Sequence, residues 1–231
     1  MDPSIKVIIP AYNEADSIKK VIGDIPTLVS EIIVVSNNSS DATERIARTA
    51  GATVLKEKRR GYGYACLKGM EYISELHSKP DIVVFLDGDY SDYPEQLQEI
   101  IKPIIKDKID FVVGARDKKL REKGSMTGPQ IFGNWLATRL MRLFFRSKFT
   151  DLGPFRAITY TKLLDLNMED KTYGWTVEMQ LKVLRQKYSY VEVPVKYRNR
   201  IGDSKVSGTI KGTIFAGVII LGWIFKYSFK K

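Results

Sequence analysis

Short apolar runs alternate with helix-like segments through the first half of the chain, and this alternation restricts the fold more than any other feature. The runs Ile5–Ile9, Glu31–Val35 and Ile82–Leu86 have the length and composition of buried strands. Segment 15–28 carries apolar residues at helical spacing. Regular β–α alternation predicts an α/β fold with a mostly parallel central sheet, right-handed crossovers and flanking helices. Further strands are predicted at 53–55, 111–113, 155–158 and 190–195, and further helices at 41–50, 61–76, from Pro94, 129–146, 161–166 and 175–185.

The alternation breaks between 116 and 133, where the charged segment 116–128, with its glycines, predicts a mobile loop. A chain of 231 residues suits one large domain, or one domain with an appendage. The single cysteine, Cys66, cannot form an internal disulfide, which fits a reducing cytosolic compartment. The single histidine, His77, excludes a zinc cluster built on histidines within the chain.

Positive charge is concentrated near the C-terminus. The net charge is +10, and the last 36 residues hold eight Lys or Arg against one Asp, which gives +7. Such a balance favours nucleic acid, a phosphorylated ligand or a membrane surface as partner. Segment 213–225 is apolar but shorter than the roughly 17–25 residues that span a bilayer. We expect membrane contact through an interfacial helix or a marginal span, with a buried helix of a soluble domain as the alternative. The N-terminus lacks the pattern of a signal peptide, so the catalytic part is expected in the cytoplasm.

Two carboxylates follow the apolar run 83–86 at once. Asp87 and Asp89 stand at the carboxyl end of a predicted parallel strand, where ligands of open α/β sheets bind. Two acidic groups so close repel each other unless a cation or a hydrogen-bond donor neutralises them. Their hard oxygen ligands suit Mg²⁺ or Mn²⁺, which usually carries substrate phosphates. A plain surface turn, which Asp and Gly also favour, is the alternative for this segment taken alone.

Polar turns follow other predicted strands at the same edge of the sheet. Segments 10–14 and 38–41 follow the first two strands, and 59–63 brings arginines and glycines to a helix N-terminus, which suits an anion. Each turn is commonplace by itself, but together they predict one site for a nucleotide and its phosphates. The sequence has neither a Walker lysine loop nor a G-x-G-x-x-G fingerprint, which disfavours ATPase and dinucleotide-binding functions.

The motifs Val7–Glu14, Ser39–Thr43, Arg60–Gly63 and Asp87–Asp89 resemble the signature set of family 2 glycosyltransferases with a GT-A fold. Later motifs make the chain similar to polyprenyl- or dolichyl-phosphate hexosyltransferases. These lie at 114–116, 133–134, 151–156, 173–178 and 200–208. The resemblance implies a GT-A nucleotide-diphospho-sugar transferase domain at 1–208, with a nucleotide-sugar-binding half at 1–115 and an acceptor half at 116–208. A C-terminal apolar membrane-associated helix would follow at 209–231.

The resemblance also implies an inverting transfer of a hexose from a UDP- or GDP-linked sugar to a polyprenyl or dolichyl phosphate. The reaction would take place at the cytoplasmic face of the cell membrane, or of the ER membrane in a eukaryote. Asp89 would coordinate Mg²⁺ or Mn²⁺, with Asp87 supporting metal or ribose. Arg200 and Lys205 would close over the diphosphate, and Arg116 would hold the acceptor phosphate. The residues expected to bind the donor are Pro10, Ala11, Tyr12, Asn13, Glu14, Asn37, Asp41, Arg60, Gly61, Asp87, Gly88, Asp89 and Arg200.

Glu178 stands where many relatives have an acidic pair, but its neighbour is Met179. A phosphate acceptor is already anionic at pH 7 and needs positioning rather than a base. We therefore expect Glu178 to be a structural or acceptor-site residue, with a catalytic base as the alternative. Ser36 and Asn37 stand where many relatives have paired aspartates. Ser91 replaces a glutamine of related mannosyltransferases, and Gln130 stands near where they often have a second phosphate-binding arginine. These departures favour UDP-glucose over GDP-mannose as the donor.

Two other functions stay open. A soluble family 2 enzyme with a saccharide or small-molecule acceptor would pack its C-terminal segment on the sheet. A non-catalytic nucleotide-sugar-binding protein is disfavoured, because Asp89, Arg200 and Lys205 are all present. No nucleic-acid partner is expected, and a homo-oligomer is left open.

Overall fold

A single seven-stranded sheet forms the centre of the protein. The computed structural model describes residues 3–202 and 210–229. The sheet order is β3-β2-β1-β4-β6-β5-β7. The strands are β1 (Ile5–Ala11), β2 (Glu31–Asn37), β3 (Thr53–Glu57), β4 (Ile82–Phe85), β5 (Phe111–Arg121), β6 (Arg156–Thr159) and β7 (Tyr190–Tyr197). The helices are α1 (Ile18–Asp24), α2 (Thr43–Thr49), α3 (Tyr62–Glu75), α4 (Leu97–Asp107, after a 3-10 turn at Pro94–Gln96), α5 (Gly128–Phe145), α6 (Tyr160–Asp165), α7 (Trp175–Arg185) and α8 (Ile210–Phe229).

The predicted α/β architecture is confirmed, and the sheet is mixed. β6 runs antiparallel to its neighbours β4 and β5, whereas the pairs of β1 with β2 and β4, of β2 with β3 and of β5 with β7 are parallel. In the parallel group, Ala11 pairs with Ser36 and Ile8 pairs with Phe85, so the carboxyl ends of β1, β2 and β4 meet at one edge. That edge carries the polar turns that the sequence analysis singled out.

Helices cover both faces of the sheet, and each face has its own apolar core. On one face α1, α2 and α4 bury residues such as Ile18, Ala47 and Leu97. On the other face α3, α5, α6, α7 and α8 pack together, with Trp175 and Phe85 in edge-to-face contact at 5.7 Å between ring centroids. Because both faces are covered, β4 is apolar throughout, and the central residues of β1 and β2 are apolar on both sides of the sheet.

The predicted loop at 116–128 is wrong at residues 116–121, which belong to a strand. β5 continues to Arg121, because its second half pairs with β7, where Arg116 lies opposite Val195 and Arg121 opposite Tyr197. The register shifts between those two pairs. The exposed, charged residues of this stretch carry no apolar alternation, so their strand conformation depends on the neighbouring strand rather than on their own pattern.

α5 begins at a capping box. The hydroxyl of Thr127 accepts a hydrogen bond from the backbone N–H of Gln130, and the Gln130 side chain accepts one from the Thr127 N–H at 2.8 Å. The arrangement satisfies two of the N–H groups that every helix start leaves open.

α8 packs on α5 and α7, with Ile224 and Tyr227 buried in the core of that face. Its outer side remains open, and Ile214, Val218 and Phe229 are exposed. Across residues 3–202 and 210–229, no helix combines the length and apolar character that crossing a membrane requires.

Candidate active site

Asp87 and Asp89 lie just beyond the end of β4, in the turn that leaves the sheet. The hydroxyl of Tyr62, the first residue of α3, donates a hydrogen bond to Asp87 Oδ1 at 2.9 Å. Asp89 is buried and accepts a hydrogen bond from the backbone N–H of Ser91 at 2.9 Å. Tyr90, between Asp89 and Ser91, has a positive backbone φ of 65°, which is uncommon for a residue with a bulky side chain. The turn therefore holds both carboxylates at the strand end at some cost in backbone strain.

Arg200 reaches this turn from the segment after β7. Its Nη2 atom lies 3.1 Å from Asp89 Oδ2 and 3.5 Å from Glu14 Oε1, and Glu14 comes from the turn after β1. The backbone N–H of Ile201 donates to the Asp89 carbonyl at 3.0 Å, which fixes the segment that carries Arg200. The structure thus brings together three predicted site residues that are far apart in sequence.

Negative charge in this cluster exceeds what Arg200 neutralises. Burial, and next the charge of Asp89, raises the pKa of Glu14 to about 7 and the pKa of Asp87 to about 6. Asp92 is also buried, and neither of its carboxylate oxygens has a hydrogen-bond partner among the described residues. Burial, followed by the charges of Asp87 and Asp89, raises the pKa of Asp92 well above its usual range. Clustered carboxylates with so little countercharge favour the binding of a cation.

The donor set fits a hard divalent ion that shares its shell with a substrate. In the part of the chain that is described, no three His, Cys, Asp or Glu side chains form a complete metal centre. Mg²⁺ is typically held by one or two carboxylates together with substrate phosphates and water, so Asp87 and Asp89 suffice as protein ligands.

Three strand-end turns are tied together beside the acidic cluster. Asn13, with a positive φ of 54°, accepts a hydrogen bond from the Ser40 N–H at 2.8 Å. Asp41 accepts from the Ala15 N–H at 3.1 Å. Asn37 accepts from the Gly61 N–H at 2.8 Å and donates to the Arg59 carbonyl at 2.6 Å.

These bonds build a continuous wall next to Asp87 and Asp89. Arg60 stands over the Tyr12 ring at 5.6 Å, and Pro10 and Ala11 end the strand β1 below it. Gly88, between the two carboxylates, has the Glu14 side chain as a near neighbour. All residues predicted to bind the donor therefore lie at this edge of the sheet.

Arg116 is committed to a buried ion pair. Its Nε and Nη2 atoms donate to the two oxygens of Asp151 at 2.8 and 2.7 Å, and the Asp151 side chain also accepts the Arg116 backbone N–H at 2.8 Å. Burial by itself would lower the pKa of Arg116, but the charge and hydrogen bonds of Asp151 raise it above its ordinary value. Asp151 is not among the residues predicted for the site, although it belongs to the motif at 151–156 that carried the resemblance.

A cavity of about 380 Å³ adjoins this ion pair. Arg116, Lys118 and Arg121 line it together with Asp151 and Glu192, and Ile131 of α5 forms part of its wall. Ile131 belongs to a row of large exposed apolar side chains on α5 and α8. The row comprises Ile131, Phe132, Trp135, Leu143, Phe144, Ile214, Phe215, Val218, Phe225 and Phe229. We call this row the apolar helix face. The cavity adjoins it at Ile131, and its charged lining is balanced, because Asp117, Asp151 and Glu192 accompany the three basic residues.

Glu178 has a structural environment. It is fully buried on α7, and its two oxygens accept the backbone N–H groups of Glu169 and Asp170, each at 2.8 Å. Lys182, one helical turn later, lies 2.8 Å away. The structural alternative that the sequence analysis favoured agrees with these contacts. Lys205 lies outside the described residues.

The chain matches the family model "Glycosyl transferase family 2" over residues 6–164. An uncharacterized glycosyltransferase of Mycobacterium tuberculosis is 31% identical over 216 residues, which cover 92% of this chain and 94% of the relative. An undecaprenyl-phosphate mannosyltransferase of Micrococcus luteus is 28% identical over 228 residues, covering 93% and 92%. Among solved structures, glucosyl-3-phosphoglycerate synthase from Mycobacterium tuberculosis, in complex with Mn²⁺, UDP and glucosyl-3-phosphoglycerate, superposes with a TM-score of 0.77. It is 20% identical, and the match covers 97% of this chain and 80% of the synthase, a likeness of fold.

Proposed function

Since the chain belongs to glycosyltransferase family 2 and is therefore a glycosyltransferase, we propose that it moves a hexose from a nucleotide-diphosphate sugar to a polyprenyl phosphate at a membrane surface. One observation carries this proposal. The cavity at Arg116 reaches Ile131 of the apolar helix face, and the charge of Arg116 acts on Asp87 of the acidic cluster. The mannosyltransferase relative, whose name states an undecaprenyl-phosphate acceptor, supports it.

The donor diphosphate would bind at Asp87 and Asp89 through Mg²⁺ or Mn²⁺. When bound, the ion supplies positive charge that offsets the negative charge of the departing nucleoside diphosphate. Arg200 lies 3.1 Å from Asp89 and adds a fixed guanidinium at the same place. Such preorganised charge is often the largest single contribution to catalysis. Lys205 would join it in the same role.

The nucleoside would lie along the wall built by Asn13, Asn37, Asp41 and Arg60. The side-chain amide of Asn37 accepts a hydrogen bond from Gly61 and donates one to Arg59. As an asparagine, it presents no carboxylate to the nucleotide base. We propose UDP-glucose as the donor, because the sequence departs from mannosyltransferase patterns, and GDP-mannose as the second candidate. Gln130, one of those departures, is engaged in the cap of α5.

The acceptor phosphate would bind in the cavity, at the edge of the Arg116 guanidinium that faces away from Asp151. A phosphate needs orientation rather than deprotonation, because it is anionic at neutral pH. The full occupation of both Glu178 oxygens by backbone N–H groups supports a reaction without a base at that position.

The apolar helix face would rest on the lipid surface that holds the acceptor. Ten large apolar side chains on two adjacent helices exceed the scattered exposure of an ordinary surface, and Trp135 has the side-chain type that settles at headgroup level. The exposed Arg139 and Arg142 on α5, and Arg146 directly after it, would meet anionic headgroups. We accordingly propose the cytoplasmic side of the membrane as the location.

A matched pair of variants tests the membrane contact. Leu143→Glu places a charge in the apolar helix face, and Ile105→Glu places one on α4, on the opposite face of the sheet. We expect co-sedimentation with vesicles of phosphatidylglycerol to fall only for Leu143→Glu. Equal binding by both variants would refute the contact while leaving the transferase proposal intact.

The reaction itself is tested with purified protein, Mg²⁺ or Mn²⁺, a panel of UDP- and GDP-sugars, and undecaprenyl phosphate beside soluble saccharide acceptors. We expect label in the lipid fraction, its loss with EDTA and its loss in a folded Asp89→Ala variant. Transfer only to soluble acceptors would favour the second candidate, a soluble family 2 enzyme, whose packed C-terminal helix is an observation in its support.

A further inference from the structure

The hydroxyl of Tyr62 is the contact that holds the carboxylate of Asp87. It donates to Asp87 Oδ1 at 2.9 Å, and Asp87 is half-buried. In proteins that bind metals, hydrogen-bond partners of the ligands set the ligand geometry, and their loss commonly costs 10–100-fold in metal affinity. The position of Tyr62 is therefore decisive for the metal-diphosphate anchor of the proposed function.

The position of Tyr62 is fixed by a second segment of chain. The N–H groups of Gly63 and Tyr64 donate to the carbonyls of Thr172 and Lys171 at 3.2 and 3.1 Å. A Cβ atom on Gly61 would collide with the Lys171 carbonyl oxygen, and both glycines flanking Tyr62 are pressed against the same segment. We call residues 170–174 the clamp segment.

The clamp segment is in turn held by α8. The indole N–H of Trp223 donates to Asp170 Oδ2 at 2.6 Å, while Asp170 Oδ1 accepts the N–H groups of Thr172 and Gly174 at 2.7 and 3.1 Å. Gly174 leaves room for this approach, since a Cβ atom there would collide with the Trp223 ring. Asp170 is 6% exposed, so the bond is shielded from water.

We propose that Trp223 is a positioning residue for the metal-diphosphate site, acting through Asp170 and the clamp segment on Tyr62 and thereby on Asp87. The last helix then has two roles, as part of the apolar helix face and as the support of the donor site. The proposal rests on the proposed function, because it assigns Asp87 to the metal.

Two single variants break the two ends of this chain of contacts. Tyr62→Phe removes the hydroxyl, and we expect the affinity for Mn²⁺ with UDP, measured by calorimetry on the full chain without lipid, to fall about tenfold. Asp170→Asn keeps Oδ1 as acceptor for the backbone N–H groups and turns an NH₂ group towards the Trp223 N–H. We expect about a threefold loss of the same affinity, which is below the loss for a direct partner of the ligand.

The variant Trp223→Phe removes the N–H donor and keeps an aromatic ring, although a smaller one. Its effect should be about equal to that of Asp170→Asn, and the double variant should be no weaker than either single variant, because both break one bond. Additive losses, or unchanged Mn²⁺–UDP affinity in Trp223→Phe, would overturn the proposal. A matched control is Tyr72→Phe on the same helix, which loses a 2.8 Å bond to Glu31 and should bind Mn²⁺–UDP normally.

Two further measurements distinguish failure of this proposal from failure of the proposed function. If Asp89→Ala binds Mn²⁺–UDP as the unaltered chain does, the anchor itself is refuted and not merely its support. Thermal unfolding by circular dichroism shows whether each variant is folded. A folded Tyr62→Phe with unchanged affinity would also overturn the role given to Trp223.

Discussion

The ion pair Arg116–Asp151 is expected to contribute more to the free energy of unfolding than an exposed ion pair of the same N–O distance, because it is buried. Its closest N–O distance is 2.7 Å, the same as in the pair Lys68–Glu71, but the side chains of the first pair are 11% and 7% exposed and those of the second 36% and 55%. Breaking a buried pair by removing one partner costs about 3–5 kcal/mol, whereas an exposed pair contributes about 0–1 kcal/mol. Burial should therefore separate two contacts of equal length.

The variant Asp151→Asn leaves Arg116 buried without a countercharge. One oxygen can still accept from the backbone and Nε, but at the other position an NH₂ group meets the guanidinium. We expect the free energy of unfolding in urea at pH 7 to fall by about 3 kcal/mol. For the control Glu71→Gln we expect a change below about 0.5 kcal/mol.

The same pair predicts a pH dependence. Burial would raise the pKa of Asp151, but the charge and hydrogen bonds of Arg116 outweigh it, and the pKa is lowered. A lowered pKa in the folded state stabilises the fold above the unfolded value of about 3.9, and this contribution is lost as the pH falls further. The gap between the unaltered chain and Asp151→Asn should therefore narrow below about pH 4. A gap under 1 kcal/mol at pH 7, or one that persists unchanged at pH 3, would refute the reasoning.

Three further predictions concern single residues. Gly61→Ala should lower the free energy of unfolding by about 1–3 kcal/mol more than Gly51→Ala in urea denaturation, because both have positive φ but only Gly61 would meet a carbonyl; equal losses would contradict this. Cys66 is fully buried, and burial raises the pKa of its thiol, so Ellman's reagent should modify it only after unfolding; fast labelling of the native protein would show that the packing is wrong. Arg200→Lys keeps the charge but not the fork between Asp89 and Glu14, so kcat at saturating donor should fall about 10–100-fold; an unchanged kcat would remove Arg200 from catalysis.

Local sequence patterns predicted most helices and strands. They failed where pairing with a neighbouring strand determines the length or the direction of a strand. The run before Asp87 reads as a buried strand because four apolar residues end in a polar turn, and β4 is that strand. The extension of β5 to Arg121 has no apolar pattern and exists through its pairing with β7. The antiparallel course of β6 likewise depends on where the chain re-enters the sheet after α5, which no short window of sequence contains.

Carboxylates show why the site could be predicted only in part. Asp89, Glu178 and Asp92 are buried and Asp87 is half-buried. All four acids lie near strand or helix ends, and their residue types alone do not distinguish them. The structure separates them by their partners. Glu178 has both oxygens filled by backbone N–H groups, whereas Asp92 has neither filled among the described residues.

Partners of this kind come from distant segments. Tyr62 and Asp87 are 25 residues apart in sequence, and Asp170 and Trp223 are 53 apart. A motif can therefore name the acids of such a site, but whether an acid is free for a ligand is decided by side-chain contacts that only the folded chain creates. For that reason the variants with the most information are those that change a partner, such as Tyr62→Phe, and leave the acid itself in place.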